Sequence, residues 1–398
     1  ILFAAPASQG VLAGGAALVL TGLPPEPRLL KALLADKSEQ AYARFVDELL
    51  SDPRFGEHQA RYWLDAVRYG DTHGLHLDNR RGIYPYRDWV VKAFNENLPF
   101  DDFITWQLAG DLLPEPTLAQ RVATGFVRMN PTTGEGGAIP LEFQAKNNFD
   151  RVETFGTVFL GMSLNCARCH THKYDPIKQQ EYYQLLAFFN STAEPSMDRN
   201  AYEYGTVARA PEDQDAWANW QLLQYAQKTL LADADRQLQT SGLNSEVIAS
   251  WSKSSDDEKL KLLAGVSDPW LQMDGNVNAK LIQSRKSEAI KKFTTTLVAK
   301  DLKEPRKTHV LNRGEYDLPI GDPVQPGVIE VMGQLPEGAP GNRLGLAQWL
   351  TSRSHPLASR VMVNQSWQRI FGVGLVRTPE DFGVQGRQST HPELLDWL

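Results

Sequence analysis

Cysteine is nearly absent. Cys166 and Cys169 are the only two in 398 residues, so no other thiol competes for either. A structural zinc site needs four protein ligands, usually with a second Cys/His pair at short spacing. No second cysteine pair exists here, so zinc would have to recruit scattered His or Asp donors. No run of 18 or more strongly apolar residues occurs, which removes a membrane-spanning helix from the expectations. Positive charge is not in excess. The net charge is −7 with both signs interspersed, which argues against a nucleic-acid partner. There is no internal repeat, low-complexity tract, phosphate-cradling glycine loop or nucleophile elbow.

What is present suits a large packed protein. Apolar residues make up 42% and charged residues 22%, and the length suggests two or three domains. Ten Trp, twelve Tyr and sixteen Phe make an aromatic-rich chain, enough for a large core.

The two cysteines lie in Asn165-Cys166-Ala167-Arg168-Cys169-His170-Thr171-His172-Lys173-Tyr174-Asp175-Pro176. Cys-x-x-Cys-His is the attachment signature of c-type haem. Two thiols two residues apart can straddle one porphyrin edge and add across its vinyl groups as thioethers. The adjacent imidazole then reaches the iron from the same turn. His170 is the expected iron ligand, and His172 is better placed to touch the cofactor than to reach the iron's far face. A redox dithiol or disulfide, zinc, and a chance motif in a buried turn are the alternatives. A thioredoxin-like pair would sit beside a βαβ pattern, whereas the flanks here look helical.

Taken in order, Ile1–Leu20 is rich in Ala, Gly and Leu, and lacks the basic flank of a signal peptide. It reads as an apolar first segment. Leu29–Leu34, Tyr42–Leu50, Glu57–Tyr69 and Tyr86–Asn95 show helical spacing. Another helix is expected from Asp101, as N-cap, to Leu113, and a short one over Leu118–Phe126. His73 and His76 fall in a Gly-Asp loop and read as exposed loop histidines. Met129–Pro140 is a tight loop in which Glu135 sits among glycines, either facing a ligand or solvated. Glu142–Leu164 reads as one long helix, with Phe149, Val152, Phe155, Phe159 and Met162 as a core stripe. Gln180–Asn190 is an aromatic helix. Two further helices are expected over Asn342–Thr351 and Pro356–Phe371, and the first turns of another at His391–Leu398.

Several blocks together resemble a known family: Leu20–Pro25, Tyr62–Tyr69, Tyr86–Val90, Gln107–Pro114 and Cys166–Pro176. They look like the planctomycete-type cytochrome domain of unknown function. Residues 342–398, through Arg360–Asn364 and Thr390–Leu398, are similar to the partner domain that follows it. The resemblance implies an exported bacterial haem protein, periplasmic or at the cell surface. It supplies no reaction. By position it carries Cys166 and Cys169 over as thioether sites and His170 as iron ligand, while His172, Lys173 and Asp175 match the motif's tail.

The expected fold is mainly α: a multi-helix haem-binding domain over 1–205, a helical insert over 206–305, and a smaller helical C-terminal domain over 306–398. The expected cofactor is one covalent haem c, and the expected function is a monohaem redox protein passing electrons to a partner. Two alternatives stay open. One is a haem c-dependent oxidoreductase acting on a carbohydrate-derived or other small substrate. The other is a cell-surface scaffold with structural haem. The sixth iron ligand separates carrier from catalyst. Met129, Met162, Met197, His73, His76 and His391 are its candidates.

Overall fold

The computed structural model describes residues 7–240, 245–265 and 275–398. Residues 1–6 of the apolar N-terminal stretch, and 241–244 and 266–274 of the expected insert, lie outside the described residues. The chain is mainly helical; the only sheets among the described residues are two short two-stranded ones. It divides into two compact units, Ile1–Ala208 with Thr296–Leu398, and Arg209–Thr295. Residues 306–398 thus share a unit with the N-terminal half.

The first unit is built from short helices whose ends the sequence marks chemically. Ser8 caps α1 (Gln9–Thr21) by accepting from Val11 N–H, and Ala13, Ala17 and Thr21 form its buried face. Helices α2 (Pro27–Ala35) and α3 (Ala41–Leu50) follow, and Phe45 and Leu49 of α3 join α1's alanines in one apolar cluster. Asp52-Pro53 starts a helix as well as ending one. The Asp52 carboxylate accepts from Arg54 N–H, Pro53 occupies the first turn, and α4 runs Pro53–Ala66. Arg68, with φ +57°, turns the chain before Tyr69, the expected helix end.

Helix α5 spans Tyr84–Asn95 and α6 Phe100–Ala109. The cap of α6 falls on Pro99 instead of Asp101. Asp101 and Asp102 sit inside its first turn, where the helix dipole favours negative charge. A Thr117–Gln120 capping box opens α7 (Leu118–Ala123).

The expected long helix stops early. Helix α8 covers Pro140–Phe155, then gives way to a π-turn over Gly156–Leu160 and a left-handed Gly161. All five stripe residues, from Phe149 to Met162, are nonetheless buried. Phe159 packs 5.9 Å from Trp63, which also meets Phe103 at 4.8 Å. The Trp63 indole and the Tyr86 hydroxyl both donate to Gln107 Oε1, at 2.8 and 2.6 Å. This satisfies the polar atoms of three buried side chains at the centre of the core. Helix α9 (Gln179–Asn190) completes this layer against α8.

The second unit is entered through β1 (Val207–Pro211) and left through β2 (Phe293–Leu297). Its helices are α10 (Gln214–Thr240), α11 (Ser245–Lys253), α12 (Asp256–Gly265) and α13 (Gly275–Lys291). Leu231, Leu238, Trp251, Leu260, Leu263 and Ile282 form its core.

Back in the first unit, β3 (Thr308–Leu311) and β4 (Pro319–Val324) form an antiparallel hairpin. Helix α14 (Arg343–Leu350) packs on α6. The fully buried Arg343 guanidinium pairs with Asp111 through two bonds of 2.9 and 2.8 Å, with Asp301 at 2.9 Å, and donates to Leu108 O at 2.7 Å. Helices α15 (Ala358–Phe371) and α16 (Pro392–Trp397) close the chain. On α15, Val361 and Asn364 are buried while Phe371 is exposed, so the predicted face is sealed only along its first turns.

Candidate functional site

Cys166 sits on a 3-10 turn, Asn165–Arg168, packed between α8 and α9, and Cys169 follows it as the capping residue. Two side chains of α9 fix it from below. Tyr183 Oη and Gln179 Nε2 donate to the Arg168 carbonyl at 2.8 and 3.0 Å. The Arg168 side chain turns inward over the Phe149 ring, 4.8 Å from its centroid. Both cysteines are free thiols. Cys166 is exposed, whereas Cys169 is half-buried under residues 312–314 and donates to Arg313 O at 3.1 Å. Gly314 makes that cover possible. It has φ +74°, and a Cβ there would lie 2.9 Å from Arg168 Nε and 3.2 Å from Cys169 Sγ.

His170 is exposed, and its Nδ1 lies 2.7 Å from the Thr171 carbonyl, which can only accept. Nδ1 therefore carries the hydrogen, and Nε2, without a partner among the described residues, is the lone-pair nitrogen. Tying one ring nitrogen to a carbonyl is how proteins set the tautomer of a metal-ligating histidine. His172 is spent differently. Its Nδ1 accepts from Asp175 N–H at 2.9 Å, and its backbone N–H donates to Ile177 O at 2.9 Å. It folds the motif's tail back on itself.

Asp175 reaches across to the C-terminal segment. Its Oδ1 accepts from Val384 N–H at 2.6 Å, and Gly383 is so close that a Cβ would sit 2.4 Å from that oxygen. Gly383, Val384 and residues 386–389 line an open cleft of about 450 Å³ with Arg360 and Leu395.

Behind Cys169 lies a polar cluster that sequence reasoning missed. Arg168 Nε and the buried Tyr182 hydroxyl have no hydrogen-bond partner among the described residues. Burial lifts the Tyr182 hydroxyl well above its ordinary range and pushes the nearby Glu153 carboxyl up. The one signal in the sequence was Arg168 between the two cysteines.

The candidate sixth ligands are scattered. Met129 and Met162 are core residues, and Met197 is half-buried. His391 is exposed, with Nδ1 3.0 Å from Thr390 Oγ1. His73 was expected on the surface and is buried at 1% exposure: three loops fold over it, and both ring nitrogens face protein atoms, Nε2 the Ala201 carbonyl and Nδ1 Asp198. His76 stays partly exposed, 4.0 Å from the solvated Glu135 carboxylate. No group of three or more His, Cys, Asp or Glu side chains among the described residues is arranged to hold a metal ion by itself.

Two family models match separate segments of the chain. Residues 3–194 match the PSCyt2 family model, described as a protein of unknown function (DUF1549). Residues 342–398 match the PSD1 model, described as a protein of unknown function (DUF1553). Together, in this order, they fit the planctomycete-type two-domain arrangement expected from the sequence blocks. No curated protein and no solved structure matches the chain. No helix among the described residues is long and apolar enough to cross a membrane.

Proposed function

We propose that this chain is an exported monohaem c-type redox protein that exchanges electrons with a partner protein. Cys166 and Cys169 would hold the cofactor as thioethers, His170 would ligate its iron through Nε2, and His172 would be the further cofactor-binding residue of the motif. The observation that carries the reading is local: the chain's only two thiols, both free, lie on and directly after one 3-10 turn, followed at once by an imidazole whose second nitrogen is already tied to Thr171 O. Such a donor set fits covalent attachment, which consumes both thiols and needs one open imidazole nitrogen.

A haem held there supplies a one-electron redox centre. The chain's own residues prepare its place. Tyr183 and Gln179 fix the turn, so the thiol spacing is set before attachment. As a thioether, Cys169 would no longer donate to Arg313 O. Arg168 Nε and the Tyr182 hydroxyl are two unpartnered donors beside Cys169, suited to an acidic group of the cofactor. The exposure of Cys166 and His170 supports exchange with a docking partner.

The test is intact mass and absorbance of the protein exported from a host with c-type haem maturation. One haem per chain, retained after denaturation and lost in Cys166→Ala/Cys169→Ala, is the expected result. A mass equal to the bare chain, with both thiols open to alkylation, overturns it.

A further inference from the structure

The tip of the β3–β4 hairpin lies on Cys169, while Cys166 stays open to solvent. The tip, residues 312–318, closes on itself through backbone bonds. Asn312 N–H donates to Leu318 O at 2.9 Å, Glu315 N–H to Asn312 O at 3.1 Å, and Leu318 N–H to Glu315 O at 3.1 Å. Arg313 and Gly314 are both left-handed, with φ of +52° and +74°. Such a conformation at an arginine persists only where surrounding contacts hold it. The Arg313 carbonyl in this reversal is the acceptor of the Cys169 thiol at 3.1 Å.

Helix α9 seats the hairpin on the thiol turn. The Gln179 amide donates to Arg168 O at 3.0 Å and to Leu311 O at 3.2 Å, so one side chain grips the turn and the last residue of β3 together. Beyond that grip the tip is held lightly. Asn312, Arg313, Glu315, Asp317 and Leu318 are all exposed. The tip meets the turn through the thiol, a weak donor, and through the close approach of Gly314 to Arg168 and Cys169. A segment that buries so little opens locally at low cost.

We propose that residues 312–318 form a cap on Cys169, which leaves Cys166 as the reactive thiol of the folded, haem-free chain. The cap opens beyond the paired residues Leu311 and Pro319, where the hairpin's register ends.

The cap bears on thioether formation, a consequence that rests on the c-type reading above. A thiol adding across a vinyl group forms one S–C bond and passes its hydrogen to the neighbouring carbon, with no oxidant or reductant consumed. Cys169 must then give up the S–H now bonded to Arg313 O and admit a carbon against Sγ. Gly314 already stands so near that a Cβ on it would lie 3.2 Å from that sulfur. Cys166 carries no such cover, so the two sulfurs become available in order, Cys166 before Cys169.

Alkylation of the haem-free chain by iodoacetamide tests the cap. Trypsin cleavage after Arg168 places the two cysteines on separate peptides for mass spectrometry. In the folded parent, Cys169 should react at least about tenfold more slowly than Cys166, and the two rates should converge in unfolding urea. A variant with residues 312–318 replaced by Asn-Gly can still join Leu311 to Pro319 through a two-residue turn. Its Cys169 should react at least about tenfold faster than in the parent, with Cys166 unchanged. Gly314→Ala, strained at its left-handed φ and crowding Arg168, should shift the Cys169 rate in the same direction, and decides the matter should the shortened chain fail to fold. Equal rates in the folded parent, a gap that persists in urea, or a Cys169 rate that neither variant raises overturns the proposal. No haem is present in these measurements, so the cap can fail while the thioether reading stands, and a bare-chain mass in the exported protein leaves the cap in place.

Discussion

Two loop regions of the first unit each set a histidine against an aspartate. In the motif's tail, His172 and Asp175 lie three residues apart on a turn near the surface, and each is occupied by backbone N–H groups. At the three-loop junction, His73 and Asp198 lie far apart in sequence and are sealed from water. The first is assembled locally and leaves the neighbouring His170 ring exposed. The second exists only when the whole unit is folded, and nothing outside the protein reaches it. The same residue types are therefore placed in opposite settings, one shaping an exposed turn and the other sealed where three loops meet.

The frame is heavily invested in buried arginines, and breaking one of these ion pairs should give the largest effects. Arg343→Met would leave Asp111 and Asp301 without their cation, at an expected cost of about 3–5 kcal/mol. A shift in the urea midpoint measures this. A loss below about 1 kcal/mol would erase the contrast between a locked frame and a loose motif.

Glu194→Gln comes next. Burial alone would raise this carboxyl, but Arg151 and Arg128 hold it down at about 2. Its stabilisation is thus present above the unfolded carboxylate value and lost as pH falls toward about 2. The variant should be about 3 kcal/mol less stable at neutral pH and should converge with the parent in strong acid, as read by denaturant titrations at several pH values.

His355 gives a smaller effect on the acid side. Burial lowers its imidazolium to about 4, and its Nδ1 accepts from Leu357 and Ala358 N–H at the start of α15. The unfolded chain takes up this proton near pH about 6.5 and the folded one does not, so stability falls as pH drops from there toward about 4. His355→Asn retains a cap acceptor and should flatten that slope by about 2 kcal/mol in a thermal-unfolding series.

The smallest stability change belongs to the motif. His170→Ala in haem-free protein should alter stability by no more than about 0.5 kcal/mol, because the ring is exposed and makes one local contact. A loss above about 2 kcal/mol would show that the motif turn is itself part of the locked frame.

Local chemistry was readable in advance. The 3.6-residue spacing of Phe149, Val152, Phe155 and Phe159 located a buried stripe, and Asp52-Pro53 marked a boundary. The π-turn at Gly156 was hidden, because the apolar pattern runs on through it to Met162 and Leu164. The burial of His73 was hidden too. A Gly-Asp-Thr-His-Gly stretch has the composition of a solvated loop, and its partner lies more than a hundred residues away. The bonds of Arg343 to Asp111 and Asp301 are equally long-range, and no periodicity announces them. Of the site, the thiols and both histidines were legible. The cover supplied by Arg313 and Gly314, and the orphaned Tyr182 hydroxyl behind it, needed the third dimension.

The reach of Asp175 to Val384 joins the two separately matched segments of the chain. A carboxylate that looks like punctuation after the cysteine turn also anchors residues two hundred positions downstream. A gene that lost the downstream segment would leave this carboxylate without its Val384 N–H partner. On that ground the two modules are expected to travel as a single heritable unit.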